Sequence, residues 1–252
     1  MTEIGTFLEF VTESRAKQGE QAEIDLYNLL KKYNKLPSTQ KKPAGFSADE
    51  IDLSFLDKKN DTHLLEVKYG LPDFGQIELK WNKQERWHFK KYNPNDPKPV
   101  KAERAKIVQE LQKSGIEEKI NQVWRNIPRL YSQERLTMAD RKRDALVFKD
   151  MYFAVDPAFI GRYYKSKGVH YINISGYGLY HFGADPANTG CSLFAPKKSL
   201  IRIRIKSRKS SLPKGYGFLG ALRIGNLSKS NMDLNNTQDI VNVLGGFLAQ
   251  KR

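Results

Sequence analysis

Polar and apolar side chains alternate regularly over residues 50–70. This alternation constrains both the secondary structure of the segment and the register in which its strands pair. The segment reads EIDLSFLDKKNDTHLLEVKYG. Its central run, DKKND, is polar and separates two segments with a period of two, which is typical of half-buried β-strands. The pattern therefore predicts a β-hairpin whose strands cover residues 50–56 and 62–69.

The same alternation predicts the register of this hairpin. With the turn centred on Lys59, Asp52 lies directly opposite Glu66, and Lys68, two residues after Glu66, points to the same face. A shift of one residue would exchange the two faces, so the pattern opposes such a slip. The opposite face is then apolar and consists of Ile51, Leu53, Phe55, Leu65, Val67 and Tyr69.

Two carboxylates that face each other across adjacent strands repel, and such pairs normally destabilise a sheet. A divalent cation would remove this repulsion, because carboxylate oxygens are the ligands that Mg²⁺ prefers. A nearby lysine would then orient or activate a metal-bound water for attack on phosphorus. The alternative is a solvated hairpin face on which Lys68 and neighbouring lysines pair with the two acids.

The rest of the chain predicts further helices and strands, and hence an α/β fold. We expect a core domain in residues 1–155 and a basic, β-rich region in residues 156–252 that packs on it. Helices are predicted at residues 14–33 and at residues 101–127, where the pattern fits one long helix or two shorter ones. Strands are predicted at residues 75–81, at residues 144–155, whose apolar composition indicates a buried strand, and at residues 199–209, where polar and apolar side chains alternate.

The hairpin and the helix before it resemble the PD-(D/E)XK nuclease superfamily, which has the restriction-endonuclease-like fold. The matching residues are Asp52 on one strand and Glu66 with Lys68 on the next. The resemblance implies an αβββαβ core, a mixed sheet flanked by helices, in which residues 75–81 form a further core strand and residues 144–155 the last one. The residue before Asp52 is isoleucine instead of proline.

The helix over residues 14–33 adds a second point of resemblance. Its Gly19-x-x-Ala22-Glu23 is similar to the opening of archaeal Holliday-junction-resolvase-type members of the superfamily. This similarity indicates Glu23 as the acid of the helix. Glu20, one turn earlier on roughly the same face, is the alternative.

The resemblance implies a Mg²⁺-dependent deoxyribonuclease in which Mn²⁺ substitutes for Mg²⁺. Asp52, Glu66 and the backbone carbonyl of Val67 would ligate the metal, Lys68 would position or help deprotonate the attacking water, and Glu23 would bind a second metal or a metal-bound water. We expect a restriction-like endonuclease or a phage or mobile-element DNA-processing enzyme. Alternatives are Holliday-junction resolution, exonuclease activity, or a non-catalytic nucleic-acid-binding protein on the same fold.

A second Glu-x-Lys spacing occurs at Glu78 and Lys80, with Gln76 before it. It is an alternative candidate for the catalytic strand. It lacks a preceding aspartate at a hairpin distance as good as that of Asp52, so the first spacing is preferred. Gln76 remains a candidate for positioning the attacking water.

The charge of the chain indicates a polyanionic partner. The net charge is +15, of which residues 151–252 carry +11, from 15 Lys and Arg against four Asp, and residues 1–150 carry +4. We expect duplex or branched DNA as the partner, and a homodimer if both strands of a symmetric site are cut. A basic row predicted to contact the DNA backbone consists of Arg202, Arg204, Lys206, Arg208 and Lys209.

Several other classes of protein are not expected from this composition. A single cysteine, Cys191, excludes an internal disulfide and a zinc site with several cysteines, and it fits a reducing, cytoplasmic location. No apolar run approaches the ~20 residues of a membrane helix, and the acidic start of the chain does not resemble a secretion signal. No glycine-rich phosphate loop occurs, so a nucleotide cofactor is not expected.

Overall fold

The computed structural model of the chain describes residues 3–43, 51–71, 73–90, 98–124, 146–207 and 216–247. Within these ranges, residues 3–16, 99–100, 205–207 and 216–217 are described by their backbone alone. No helix in these ranges is long and apolar enough to cross a membrane.

The described residues include five helices and ten strands, and the protein is therefore an α/β protein. The helices are α1 (Glu3–Lys32), α2 (Lys98–Lys113), α3 (Ile116–Val123), α4 (Phe159–Ser166) and α5 (Thr237–Leu244). The strands are β1 (Leu53–Leu56), β2 (Thr62–Tyr69), β3 (Gly75–Asn82), β4 (Arg86–Phe89), β5 (Met151–Val155), β6 (Tyr171–Ser175), β7 (Gly178–His181), β8 (Ser192–Leu193), β9 (Lys198–Ser207) and β10 (Tyr216–Gly225).

The chain forms two compact units, each built from segments that are distant in sequence. Unit 1 comprises Met1–Pro72, Gly168–Pro196 and Asn226–Arg252, and unit 2 comprises Asp73–Lys167 and Lys197–Gly225. This division differs from the predicted boundary at residue 155, since each unit contains residues from both sides of it. The region expected to be β-rich also contains α4 and α5, and it contributes strands to both sheets.

Unit 1 contains a mixed five-stranded sheet in the order β1-β2-β6-β7-β8. β1 and β2 are antiparallel, as predicted for the hairpin, whereas β6 runs parallel to β2. The apolar stripe of α1, with Leu26 and Leu30 fully buried, packs in one core with the apolar face of the hairpin. Burial of these aliphatic side chains fixes which hairpin residues pack with α1.

Unit 2 contains an antiparallel five-stranded sheet in the order β4-β3-β10-β9-β5. An aromatic cluster covers one face, in which the ring of Phe218 lies 4.5 Å from Trp87 and 5.8 Å from Trp124, measured between centroids. Side chains of α3 cover the edge strand β4, because Glu117 accepts a hydrogen bond from the backbone N–H of Phe89 and Asn121 accepts one from that of Trp87.

The strands expected to follow the hairpin in one core sheet lie elsewhere. β3 and β5, at residues 75–82 and 151–155, belong to the sheet of unit 2, and the strand that pairs with β2 inside unit 1 is β6. β5 is an edge strand with half-buried and exposed positions, so the buried strand predicted for residues 144–155 is wrong. Its apolar composition misled the prediction because Leu146, Val147 and Tyr152 are exposed.

Two helices, α2 and α3, occupy most of the segment predicted as helical at residues 101–127, as one of the two predictions for it stated. Gly115 separates them with a φ of 72°, a left-handed conformation that a glycine adopts without steric cost. Helical spacing in the sequence predicts six inward positions, Ile107, Leu111, Ile120, Val123, Trp124 and Ile127. Ile107, Leu111, Ile120 and Trp124 are buried and Val123 is exposed, whereas residue 127 lies outside the described residues.

Candidate active site

The hairpin has the predicted register. Leu53 pairs with Leu65 and Phe55 with His63, which places Asp52, one residue before β1, opposite Glu66. Leu53, Phe55 and Leu65 are fully buried. The apolar face ends earlier than predicted, since Tyr69 at the end of β2 is exposed.

Asp52, Glu66 and Lys68 converge at one point of unit 1. The Lys68 Nζ lies 2.5 Å from Glu66 Oε1, 3.5 Å from Asp52 Oδ2 and 3.1 Å from the carbonyl oxygen of Val67. Both carboxylate residues are only 6% exposed. The ammonium is therefore surrounded by the three groups predicted to be metal ligands.

The contacts of Lys68 with both carboxylates are those that the alternative predicted. The burial of the cluster differs from that alternative, which expected a solvated hairpin face. Among the described residues, two buried carboxylates lie beside one ammonium at this point.

The neighbouring acids act on the protonation of Lys68. Burial favours the neutral amine, but the charges of Glu66 and Asp52, the hydrogen bond with Glu66 and the charge of Glu23 outweigh burial and raise the pKa of Lys68 well above its ordinary value. Lys68 is therefore protonated at neutral pH. Glu23 is buried on α1 and its charge acts on Lys68, whereas Glu20 is half-buried.

Two hydrogen-bonding groups hold Asp52 in place. The backbone N–H of Val67 donates to Asp52 Oδ2 at 2.8 Å, which ties the carboxylate to β2. The Gln40 side chain donates to the carbonyl of Asp52 at 3.2 Å and accepts from the N–H of Ser54 at 2.6 Å. Since β1 is an edge strand, Gln40 satisfies backbone groups that a neighbouring strand would otherwise satisfy.

Sequence reasoning did not identify Gln40. It lies before the hairpin in a segment broken by prolines, and no periodicity connects it to Asp52. Its role depends on the path of the chain between α1 and β1, which local patterns do not describe.

The donor set of the site fits a hard divalent cation. Two carboxylates and a peptide carbonyl supply oxygen atoms, which Mg²⁺ takes as ligands, and they already surround one positive charge. Within the described ranges, no group of three or more His, Cys, Asp or Glu residues could hold a metal ion. The ligands of a cation held here would therefore be the two carboxylates, the Val67 carbonyl and water. The ammonium of Lys68 would have to move out of contact with the two carboxylates.

The second Glu-x-Lys spacing lies on β3 in unit 2 and has the opposite charge balance. Glu78 Oε1 lies 2.6 Å from Lys80 Nζ, and Glu78 Oε2 lies 3.2 Å from Lys90 Nζ. Burial would raise the pKa of Glu78, but the hydrogen bonds and charges of these two lysines lower it. Two ammonium groups thus flank one carboxylate, an arrangement that does not attract a cation. Gln76, on the same strand, is exposed.

The predicted basic row begins on β9 in unit 2. Arg202 forms an ion pair with Asp150 and stacks over the ring of Tyr152, with 5.9 Å from its guanidinium carbon to the ring centroid. Arg204 Nη1 lies 3.8 Å from Asp73 Oδ2. The backbone of Lys206 continues the strand, whereas Arg208 and Lys209 lie outside the described residues.

Comparison of the chain with protein-family models, with curated proteins and with solved structures returned no match. No family is therefore assigned to the chain. Its function is inferred from its own residues and their geometry.

Proposed function

We propose that the protein is a Mg²⁺-dependent deoxyribonuclease and that the helix α1 with the hairpin β1–β2 forms the start of a restriction-endonuclease-like core. One observation carries this proposal: a buried point where the carboxylates of Asp52 and Glu66 and the carbonyl of Val67 surround the ammonium of Lys68. Carboxylate and carbonyl oxygen atoms are the ligands that a divalent cation such as Mg²⁺ takes.

In this proposal each group of the site has one role. Asp52, Glu66 and the Val67 carbonyl hold the cation, which when bound supplies positive charge to the phosphoryl oxygens and lowers the pKa of a bound water. The backbone N–H of Val67 and the side chain of Gln40 keep Asp52 in position. The carboxylate of Glu23 contributes negative charge from α1.

Lys68 acts in this proposal as a hydrogen-bond donor. Without a bound cation, the charges of the neighbouring carboxylates raise the pKa of Lys68, so it carries its proton at neutral pH. A protonated ammonium beside the reacting phosphate orients the attacking water and stabilises the negative charge that develops on phosphorus oxygens.

Cleavage of defined DNA substrates tests the proposal. Pure protein is incubated with supercoiled plasmid, a synthetic four-way junction and single-stranded DNA, each with Mg²⁺ or with EDTA. We expect cleavage with Mg²⁺ alone. Discrete plasmid fragments would indicate a restriction-like endonuclease, nicking of the junction a resolvase, and progressive shortening an exonuclease.

Glu66→Gln and Glu110→Gln form a matched pair of variants for this assay. Both replace an ion-paired glutamate by its neutral isostere, but Glu110 pairs with Arg162 on unit 2 and lies outside the site. Loss of a metal ligand removes several kcal/mol of transition-state stabilisation, so Glu66→Gln should cleave ~10²–10³-fold more slowly. Glu110→Gln should cleave at the wild-type rate. Wild-type activity in Glu66→Gln would refute the proposal.

A second candidate function is nucleic-acid binding without catalysis. It is favoured by the ion pairs of Lys68, which neutralise part of the site without a metal. The same assay separates the two candidates, because a binder would shift the mobility of DNA equally in Mg²⁺ and in EDTA and would leave every substrate uncut.

A further inference from the structure

The positive charge of the protein is concentrated in one of its two compact units. Unit 2 contains 30 Lys and Arg against 13 Asp and Glu, a net charge of +17, whereas unit 1 contains 13 against 15, a net charge of −2. The contrast is sharper than the one between the two halves of the sequence. A net charge of this size on a single unit attracts polyanions.

One face of the unit 2 sheet presents cations on three of its strands, β3, β9 and β10, and at Lys90 directly after β4. The aromatic cluster around Trp87 and Phe218 covers the other face. Strand pairing places Arg204, Leu219 and Glu78 side by side, because Leu219 on β10 pairs with both of the others. We call this the outer face. Its described members include Glu78, Lys80, His88, Lys90, Tyr152, Arg202, Arg204, Leu219, Ala221 and Arg223, of which Leu219 and Ala221 are buried.

Three carboxylates fix these cations in position without neutralising them. Glu78 lies between Lys80 and Lys90. Asp73 lies between Arg223, at 2.7 Å, and Arg204, at 3.8 Å. With the pair of Arg202 and Asp150, five cations share three carboxylates. A cation that shares its carboxylate keeps N–H donors for a further anion, and Lys80, Lys90 and Arg223 remain exposed by 44%, 36% and 37% of their side-chain area.

The spacing of the outer face suits a nucleic-acid backbone. Alternate residues on a strand are about 6.7 Å apart and neighbouring strands about 4.8 Å apart, so the cations form a two-dimensional array. Single strands are held without sequence preference by aromatic side chains on which bases stack. Among the described members of the outer face, five cations outnumber the two rings, which are those of Tyr152, 53% exposed beside Arg202, and of His88, which is half-buried. The face therefore favours a duplex, whose phosphates point outward.

We propose that the outer face of unit 2 binds the phosphate backbone of duplex DNA, with Lys80, Lys90 and Arg223 as contacts besides Arg202 and Arg204. This inference deepens the proposed function, since it names the surface that holds the substrate. It concerns binding alone, and binding is measured without metal. A protein that binds through this face but never cuts would refute the nuclease proposal and leave this inference intact.

The test is the salt dependence of binding to a labelled DNA duplex, measured by fluorescence anisotropy in EDTA. The triple variant Lys80→Gln, Lys90→Gln, Arg223→Gln removes three charges from the outer face. Each lost phosphate contact reduces the slope of log K against log salt by about 0.9, so the slope should become shallower by ~2–3 and affinity should fall at every salt concentration.

A matched triple variant controls for net charge. Lys113→Gln, Lys119→Gln and Lys165→Gln remove three exposed charges from α2, α3 and α4 of the same unit. The slope of log K against log salt for this control variant should remain that of the wild type. Thermal melting of both triple variants checks that unit 2 folds. Equal changes of slope in the two triples, or an unchanged slope in the outer-face triple, would overturn the inference. A single strand of the same length should bind more weakly than the duplex, and tighter binding would overturn the assignment to duplex DNA.

Discussion

Replacement of Lys68 by methionine removes an ammonium that contacts both buried carboxylates of the site. The substitution keeps the length and packing of the side chain and deletes its charge. Asp52 and Glu66 would then face each other at 6% exposure without the ion pairs at 3.5 and 2.5 Å. Breaking a buried pair costs about 3–5 kcal/mol. Because the Lys68 side chain is 19% exposed, we expect the lower end, ~3 kcal/mol, in EDTA.

A divalent cation should restore much of this loss in Lys68→Met. The cation would occupy the position of the ammonium among the same three oxygen donors. Binding to the native state alone at a concentration about a hundred times the Kd contributes ~2.7 kcal/mol. The wild type should gain less from Mg²⁺, because its ammonium must first withdraw from the carboxylates.

The unfolding of unit 2 can be followed separately, because all three tryptophans lie in that unit. Tryptophan fluorescence reports unit 2, whereas far-UV circular dichroism reports both units. A loss of ~3 kcal/mol corresponds to a decrease of about 10 °C in the melting temperature of the dichroism transition. The melting temperatures are also measured in NaCl at the ionic strength of the Mg²⁺ sample, which controls for charge screening.

Lys106→Met is the matched control, since Lys106 forms an exposed ion pair with Glu103 that is worth less than ~1 kcal/mol. Wild-type stability of Lys68→Met in EDTA would refute the claim that the ammonium holds the two carboxylates. A destabilised variant that responds to Mg²⁺ no more than the wild type would refute the divalent-cation site.

Two further predictions concern the surroundings of the site in unit 1. Gln40→Ala removes two hydrogen bonds to the backbone of Asp52 and Ser54. We therefore expect hydrogen exchange of the β1 amides to accelerate by an amount equivalent to ~1–2 kcal/mol and Mg²⁺-dependent cleavage to become slower. Unchanged exchange would show that Gln40 does not support β1. Burial would raise the pKa of Asp57, but its hydrogen bonds with His63 and with two turn N–H groups lower it. This stabilisation is present above the ordinary carboxyl pKa of about 3.9 and is lost as pH falls below it. Asp57→Asn should therefore lower the melting temperature at neutral pH and reduce the loss between about pH 4 and pH 2, whereas parallel pH profiles of variant and wild type would contradict this assignment.

The geometry of the hairpin was predictable because it depends on neighbours in sequence. A period of two assigns Leu53, Phe55 and Leu65 to one face, and only one register then brings Asp52 opposite Glu66. The same alternation predicts that Lys68 lies on the same face as Glu66. The burial of the two carboxylates was not predictable, because it depends on contacts with distant segments that the alternation does not determine.

The partners of the strands were less predictable. β3 and β5 have the composition of core strands, yet they pair with β10 and β9 in a sheet that excludes the hairpin. Apolar composition indicates that a strand is buried on one side, but it does not identify the neighbouring strand. The parallel pairing of β2 with β6 joins residues about a hundred positions apart and leaves no local signal.

The amino-acid sequence by itself determined the α/β class, the hairpin, its register and the set of charged residues at its site, since each follows from backbone geometry acting over a few residues. Tertiary structure decided how the charge is distributed. Segments from both sides of residue 155 assemble into unit 2 with a net charge of +17, and the remaining segments assemble into a unit with −2. The physical reason is that strand pairing and burial of apolar faces join distant segments. The charged residues of those segments are thereby brought into the same unit.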